Sequence, residues 1–121
     1  MNRRTSIVAP AGFPPVTEER LQEAISRIVE ALDPERIILF GSYASGQPDE
    51  NSDIDLLVIM ETAKRPAGRI VAVSRTLSPR PFPVDIIVRT PEELDRDLKR
   101  VDPFMRDLVE RGRTLYERRR P

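Results

Sequence analysis

Two aspartates open the apolar run of residues 53–60, Asp53-Ile54-Asp55-Leu56-Leu57-Val58-Ile59-Met60, and a third, Asp85, sits inside Val84-Asp85-Ile86-Ile87-Val88. Aspartate is depleted in strands, so acids in two strand-like runs need a reason. Strand residues two apart point to one face, with about 6.6–6.8 Å of rise between them. Asp53 and Asp55 therefore project together, while Ile54 and Leu56 face the other way. Two ionised carboxylates on one face repel, and a close pair keeps one proton near neutral pH. A divalent cation reverses that sign by making each carboxylate a ligand. Magnesium takes one or two protein carboxylates and fills its octahedron with water and substrate phosphate oxygens. If the run around Asp85 pairs beside that of residues 53–60, the third carboxylate reaches the same point. Three acids then hold either one metal plus an activating base, or two metals flanking an in-line phosphoryl displacement.

Upstream, Ile37-Ile38-Leu39-Phe40 stops at Gly41-Ser42. Glycine lets the backbone approach a phosphate closely. Ser42, expected to cap a short helical turn through Tyr43, Ala44 and Ser45 closed by Gly46, offers a hydroxyl beside free backbone N–H groups, an anion site. Carboxylates with metal on one side and a helix start on the other suit the β,γ-phosphates of a nucleoside triphosphate with its magnesium. Each piece alone is weak: Gly-Ser before a turn is ordinary loop chemistry, Asp53 can solubilise a strand end, and Asp85 can be an edge charge. The joint pattern carries the reading. Asp49, Glu50 and Glu61 fall in turn or strand-exit positions and read as solvated charges.

The composition restricts the chemistry further. The 121 residues contain no cysteine and no histidine, which excludes disulfides, Cys/His zinc sites, thiol nucleophiles and imidazole acid–base catalysis. A proton acceptor here is most plausibly a carboxylate, and a metal would be a hard, oxygen-loving ion, magnesium or manganese. Net charge is zero, with 20 basic and 20 acidic residues; a protein gripping long nucleic acid usually shows a basic excess, and apart from the short Arg118-Arg119-Arg120 run nothing here demands such a partner. No apolar stretch approaches the roughly 18–20 residues of a membrane span, and Ile7-Val8-Ala9 is cut short by Pro10, too little for a signal peptide. The expected location is the cytoplasm.

The elements that must position these residues follow from periodicity and capping. Residues 1–16, with Pro10, Pro14 and Pro15, read as a flexible N-terminal arm. Thr17 caps a helix with Glu18 and Glu19 in its first turn; Leu21, Ala24, Ile25, Ile28, Val29 and Leu32 form its apolar face, and Pro34 stops it. Residues 37–40 suit a central strand buried on both sides. Residues 47–52 are turn chemistry, and residues 66–77 form a helix with Ile70, Val73 and Leu77 inward. Ser78 to Pro83 is a loop, residues 84–88 a third strand. Thr90-Pro91-Glu92-Glu93 is a capping box with proline at the first helical position, leading into Leu94, Leu98 and Val101. Asp102-Pro103 starts a last helix with Phe104, Met105, Leu108 and Val109 apolar and Gly112 as its stop. Thr114-Leu115-Tyr116 reads as a short closing strand, and residues 118–121 as a basic tail. The expected fold is a small mixed α/β (α+β) sandwich, with helices covering a sheet of three to four strands, in one domain over residues 17–117.

FGSYASGQPDENSDIDLLV resembles the signature of the DNA polymerase beta-like nucleotidyltransferase superfamily: Gly-Ser, a spacer of about ten, Asp-apolar-Asp-apolar, and a third acid in a later strand. The short length and the closing Glu110 to Glu117 segment are most similar to the minimal nucleotidyltransferases, over about residues 17–117. The resemblance implies that Gly41 and Ser42 hold the triphosphate and that Asp53 and Asp55 ligate magnesium. Asp85 would ligate a second ion or deprotonate an acceptor hydroxyl, and attack on the α-phosphate of ATP or another nucleotide would release pyrophosphate. Many members of this group are antitoxins paired with a small helical HEPN-domain toxin, some of which they adenylylate. The larger aminoglycoside nucleotidyltransferases add a helical domain that completes the acceptor site, for which this chain has no room. The resemblance thus implies a partner-modifying enzyme, with a non-catalytic binding module and a small-molecule transferase as the alternatives.

Overall fold

The computed structural model describes residues 16–48, 52–100 and 102–119. Asp49, Glu50, Val101, most of the expected N-terminal arm and the end of the basic tail lie outside the described residues. Among the described residues, no helix is long and apolar enough to cross a membrane.

Among the described residues the elements follow in the order α1 (Glu18–Leu32), β1 (Arg36–Phe40), α2 (Ser42–Ser45), β2 (Ile54–Ile59), α3 (Pro66–Thr76), β3 (Val84–Arg89), α4 (Pro91–Lys99), α5 (Pro103–Arg111) and β4 (Arg113–Glu117). The strands form one sheet in the order β3-β2-β1-β4. β1 is antiparallel to both β2 and β4. β2 and β3 run parallel, which requires a crossover, supplied by α3. The mixed α/β sandwich expected from the sequence is borne out.

Alternation along the strands sorts side chains onto two faces. Ile37, Leu39, Ile54, Leu56, Val58, Val84, Ile86 and Val88 pack with Leu21, Ala24, Ile25 and Ile28 of α1 and Val73 of α3. Val16, at the end of the expected arm, is buried in this same cluster. On the opposite face, Ile38, Leu57 and Ile59 pack with Leu94 of α4 and Met105 and Leu108 of α5. Burying a Leu or Ile side chain stabilises by about 1.5–3 kcal/mol, so these two layers fix the sheet between its helices. The ends are tied locally. Thr17 accepts from the Arg20 N–H at 3.1 Å. Thr90 and Glu93 form the reciprocal capping box, and the Asp102 carboxylate accepts from the Phe104 and Met105 N–H groups.

Two helical faces differ from the sequence expectation. In α3, Ile70 is 41% exposed and Arg69 is buried in its place. The Arg69 guanidinium donates to the Lys64 carbonyl at 2.8 Å and to Glu93 at 2.6 Å, so its charge is matched where a lone cation would be excluded. In α5, Phe104 is 55% exposed, because Met105 and Leu108 define the inward stripe and Phe104 stands at its margin. Gly112 ends α5 without a left-handed turn, at φ −70°. Glycine is needed there for space: an added Cβ would lie 2.5 Å from both Ile38 Cγ2 and the Leu108 carbonyl.

Candidate active site

The face carrying Leu57 and Ile59 also carries Asp55 by the same alternation, and Asp85 shares its side of β3 with Ile87. α4 lies against β3 and α5 against β1, and the acids occupy the end of this face where β2 and β3 begin. The parallel register sets Asp55 directly beside Asp85, and the antiparallel register sets Phe40 opposite Asp55. Asp53 lies one residue before β2; it and Asp85 are exposed, and Asp55 is half-buried.

Immediately after Phe40 the chain turns at Gly41, with φ 76° and ψ −156°, a region essentially restricted to glycine. A Cβ built on Gly41 would collide with Asp55 Oδ2 and lie 3.1 Å from Asp55 Cγ. The glycine therefore serves both the turn and the close approach of this carboxylate. Gly41, not Ser42, takes the cap position of α2; Ser42 is the first helical residue. The Gly41 carbonyl accepts from the Ala44 and Ser45 N–H groups at 3.1 Å. The N–H groups of Ser42 and Tyr43 precede the first bonded turn and stay without intrahelical partners.

Burial, then the charge of Asp85, then that of Asp53, raises the Asp55 carboxyl from its ordinary 3.8 to about 6. Among the described residues, no three acidic side chains converge tightly enough to enclose a metal ion; the three aspartates share a corner and interact through their charge. In kind, the oxygens gathered here still suit a cation: they are hard carboxylate oxygens, and the central carboxyl is held towards the neutral form by burial and by two like charges, and a cation would offset those charges. Gly41, Ser42, Asp53, Asp55 and Asp85 are thus gathered at one end of the sheet. The sequence reading missed the outward position of Phe104; the one-residue offset from the Met105/Leu108 stripe is the signal that marks it.

The profile of the Nucleotidyltransferase domain family matches residues 19–115, and the chain belongs to that family of enzymes. It is 32% identical over 101 residues, covering 78% of this chain and 97% of the relative, to a Methanocaldococcus jannaschii protein named as a candidate protein adenylyltransferase. Its fold is similar to the crystal structure of a candidate nucleotidyltransferase from Sulfolobus solfataricus, with TM-score 0.59, 24% identity, and coverage of 83% of this chain and 79% of that one. It is also similar to a chain of a toxin–antitoxin crystal structure with AMP-PNP, with TM-score 0.56, 23% identity, and coverage of 81% and 74%. The resemblance noted in the sequence is borne out at the level of family and fold.

Proposed function

We propose that this chain transfers AMP from ATP to a hydroxyl group on a partner protein and is the antitoxin half of a pair with a HEPN-domain toxin. The observation that carries the reading is the corner itself: Asp55 beside Asp85 in register and packed against Gly41. The relative named as a protein adenylyltransferase and the toxin–antitoxin neighbour support the choice of acceptor.

Gly41 and the first N–H groups of α2 would take the triphosphate oxygens. Asp53 and Asp55 would hold magnesium, with manganese as the alternative, and Asp85 would either hold a second ion or take the acceptor's proton; a bound ion would neutralise charge on the phosphate oxygens. The acceptor oxygen forms a bond to the α-phosphorus, the bond to the bridging oxygen breaks, and pyrophosphate leaves. The hydroxyl proton passes to a carboxylate, for which exposed Asp85 on the edge strand is best placed. In this reading the acceptor surface is supplied by the partner.

Incubation with labelled ATP, magnesium and the protein encoded beside this one should label that protein, and Asp53→Asn should abolish the label. No transfer by the wild type, together with full protection by a variant lacking all three aspartates, would instead assign neutralisation by binding alone. Labelling of an aminoglycoside and not of a protein would assign a small-molecule transferase.

A further inference from the structure

A cleft of about 320 Å³ opens beside Gly41, floored by Phe40, Ala44 and Leu108 and flanked by Phe104 and Arg111. This volume lies at the small end of the roughly 300–1,000 Å³ range of small-molecule sites. Phe40 and Phe104 meet edge to face, with centroids 6.3 Å apart at 87°, and Phe104 nevertheless remains 55% exposed. Exposing an aromatic ring at the mouth of an apolar cleft leaves unfavourable apolar surface in water. Covering it with a flat ligand would remove that cost.

We propose that this cleft is the nucleobase subsite, with the base lying against Phe104 over the floor formed by Phe40 and Leu108; the proposal rests on the transferase reading above. Gly41 belongs to both the cleft and the carboxylate corner. A base is joined to its phosphates by a single ribose, so it reaches only surfaces bordering the phosphate site, and this cleft borders it. The sheet order separates the two halves of the reaction. The cleft lies by β1 and α5, whereas Asp85 lies on β3, two strands away at the edge of the sheet. In-line displacement needs the acceptor opposite the leaving pyrophosphate, so the acceptor approaches over β3 and leaves the β1 side to the nucleotide. Arg111, whose Nε lies 2.8 Å from an Asp107 carboxylate oxygen in an ion pair, places further donors beside the cleft for the edge of the base.

The chain contains no tryptophan, so Phe104→Trp introduces a single indole reporter in the intact protein. With magnesium present, ATP should quench its fluorescence and inorganic tripolyphosphate should not. Phe104→Ala should weaken ATP binding by roughly fivefold to a hundredfold, the range for loss of base stacking on an aromatic ring, and leave tripolyphosphate binding unchanged. Val71→Ala, exposed on α3, should alter neither. Unchanged ATP binding in Phe104→Ala, an equal loss for both ligands, or an indole silent to ATP overturns the subsite while the transferase reading stands. A wild-type protein that binds neither ATP nor tripolyphosphate overturns both.

Discussion

Deprotonating Asp55 works against folding, because its carboxyl is raised to about 6 by burial and by the charges of Asp85 and Asp53. The group binds its proton more tightly in the folded state. Its stabilising contribution is therefore full below the ordinary 3.8 and is lost as pH rises through about 6. Asp55→Asn should consequently be more stable than wild type in EDTA at about pH 7.5, and the difference should vanish near pH 4. Urea denaturation at the two pH values checks this, and an equal gap at both would refute it. At the proposed magnesium site the same proton would compete with the ion, so apparent metal affinity should fall as pH drops below about 6. Gly41→Ala meets the same carboxylate from the other side. Steric conflict with Asp55 and a backbone region hostile to side chains should destabilise the protein by about 1–3 kcal/mol. Nucleotidyl transfer should fall with it, and a variant with wild-type stability and transfer would contradict this account of the turn.

Among the elements, α3 and α4 are joined by one side chain. Glu93 accepts from the Thr90 N–H at 3.0 Å to close the capping box and from Arg69 at 2.6 Å to anchor α3. The Arg69 hydrogen bond, then that of the Thr90 N–H, holds its carboxyl below the usual 4.5, so this contribution is present above that value and lost as pH falls through the lowered one. Glu93→Ala should destabilise by about 1–3 kcal/mol through loss of the cap and of the partner to a buried guanidinium. Glu93→Gln, which keeps a carbonyl acceptor, should lose less; equal losses in thermal or urea denaturation would show that only charge matters. The capping box was legible in Thr90-Pro91-Glu92-Glu93 because it is local. The burial of Arg69 was not, because the carboxylate that matches its charge lies 24 residues away. Apolar spacing alone therefore assigned Ile70 to the core.

Across the whole molecule, the same division separates what the chain displayed from what only folding brought together. Period-two alternation led to the expectation that Asp53 and Asp55 share a face, although Asp53 falls one residue before β2, and the Gly-Ser turn marked the end of β1. The packing of Gly41 on Asp55 and the in-register pairing of Asp55 with Asp85 arise from strand order and a long crossover, which no local pattern specifies. That register has a dynamic consequence. Like charges placed directly side by side across two strands weaken their pairing, and β3 lies at the edge of the sheet. The parallel ladder should therefore fray from its acidic end. In amide hydrogen exchange without divalent ions, β3 amides facing β2 should exchange faster within Val84–Ile86 than within Ile87–Arg89, and magnesium should slow the first group selectively. Uniform protection along β3 without the ion would mean that the paired charges exert no local cost. With the gradient present, the edge strand that bears Asp85 would tighten as the proposed ion binds, and the sheet itself would record whether the enzyme is loaded.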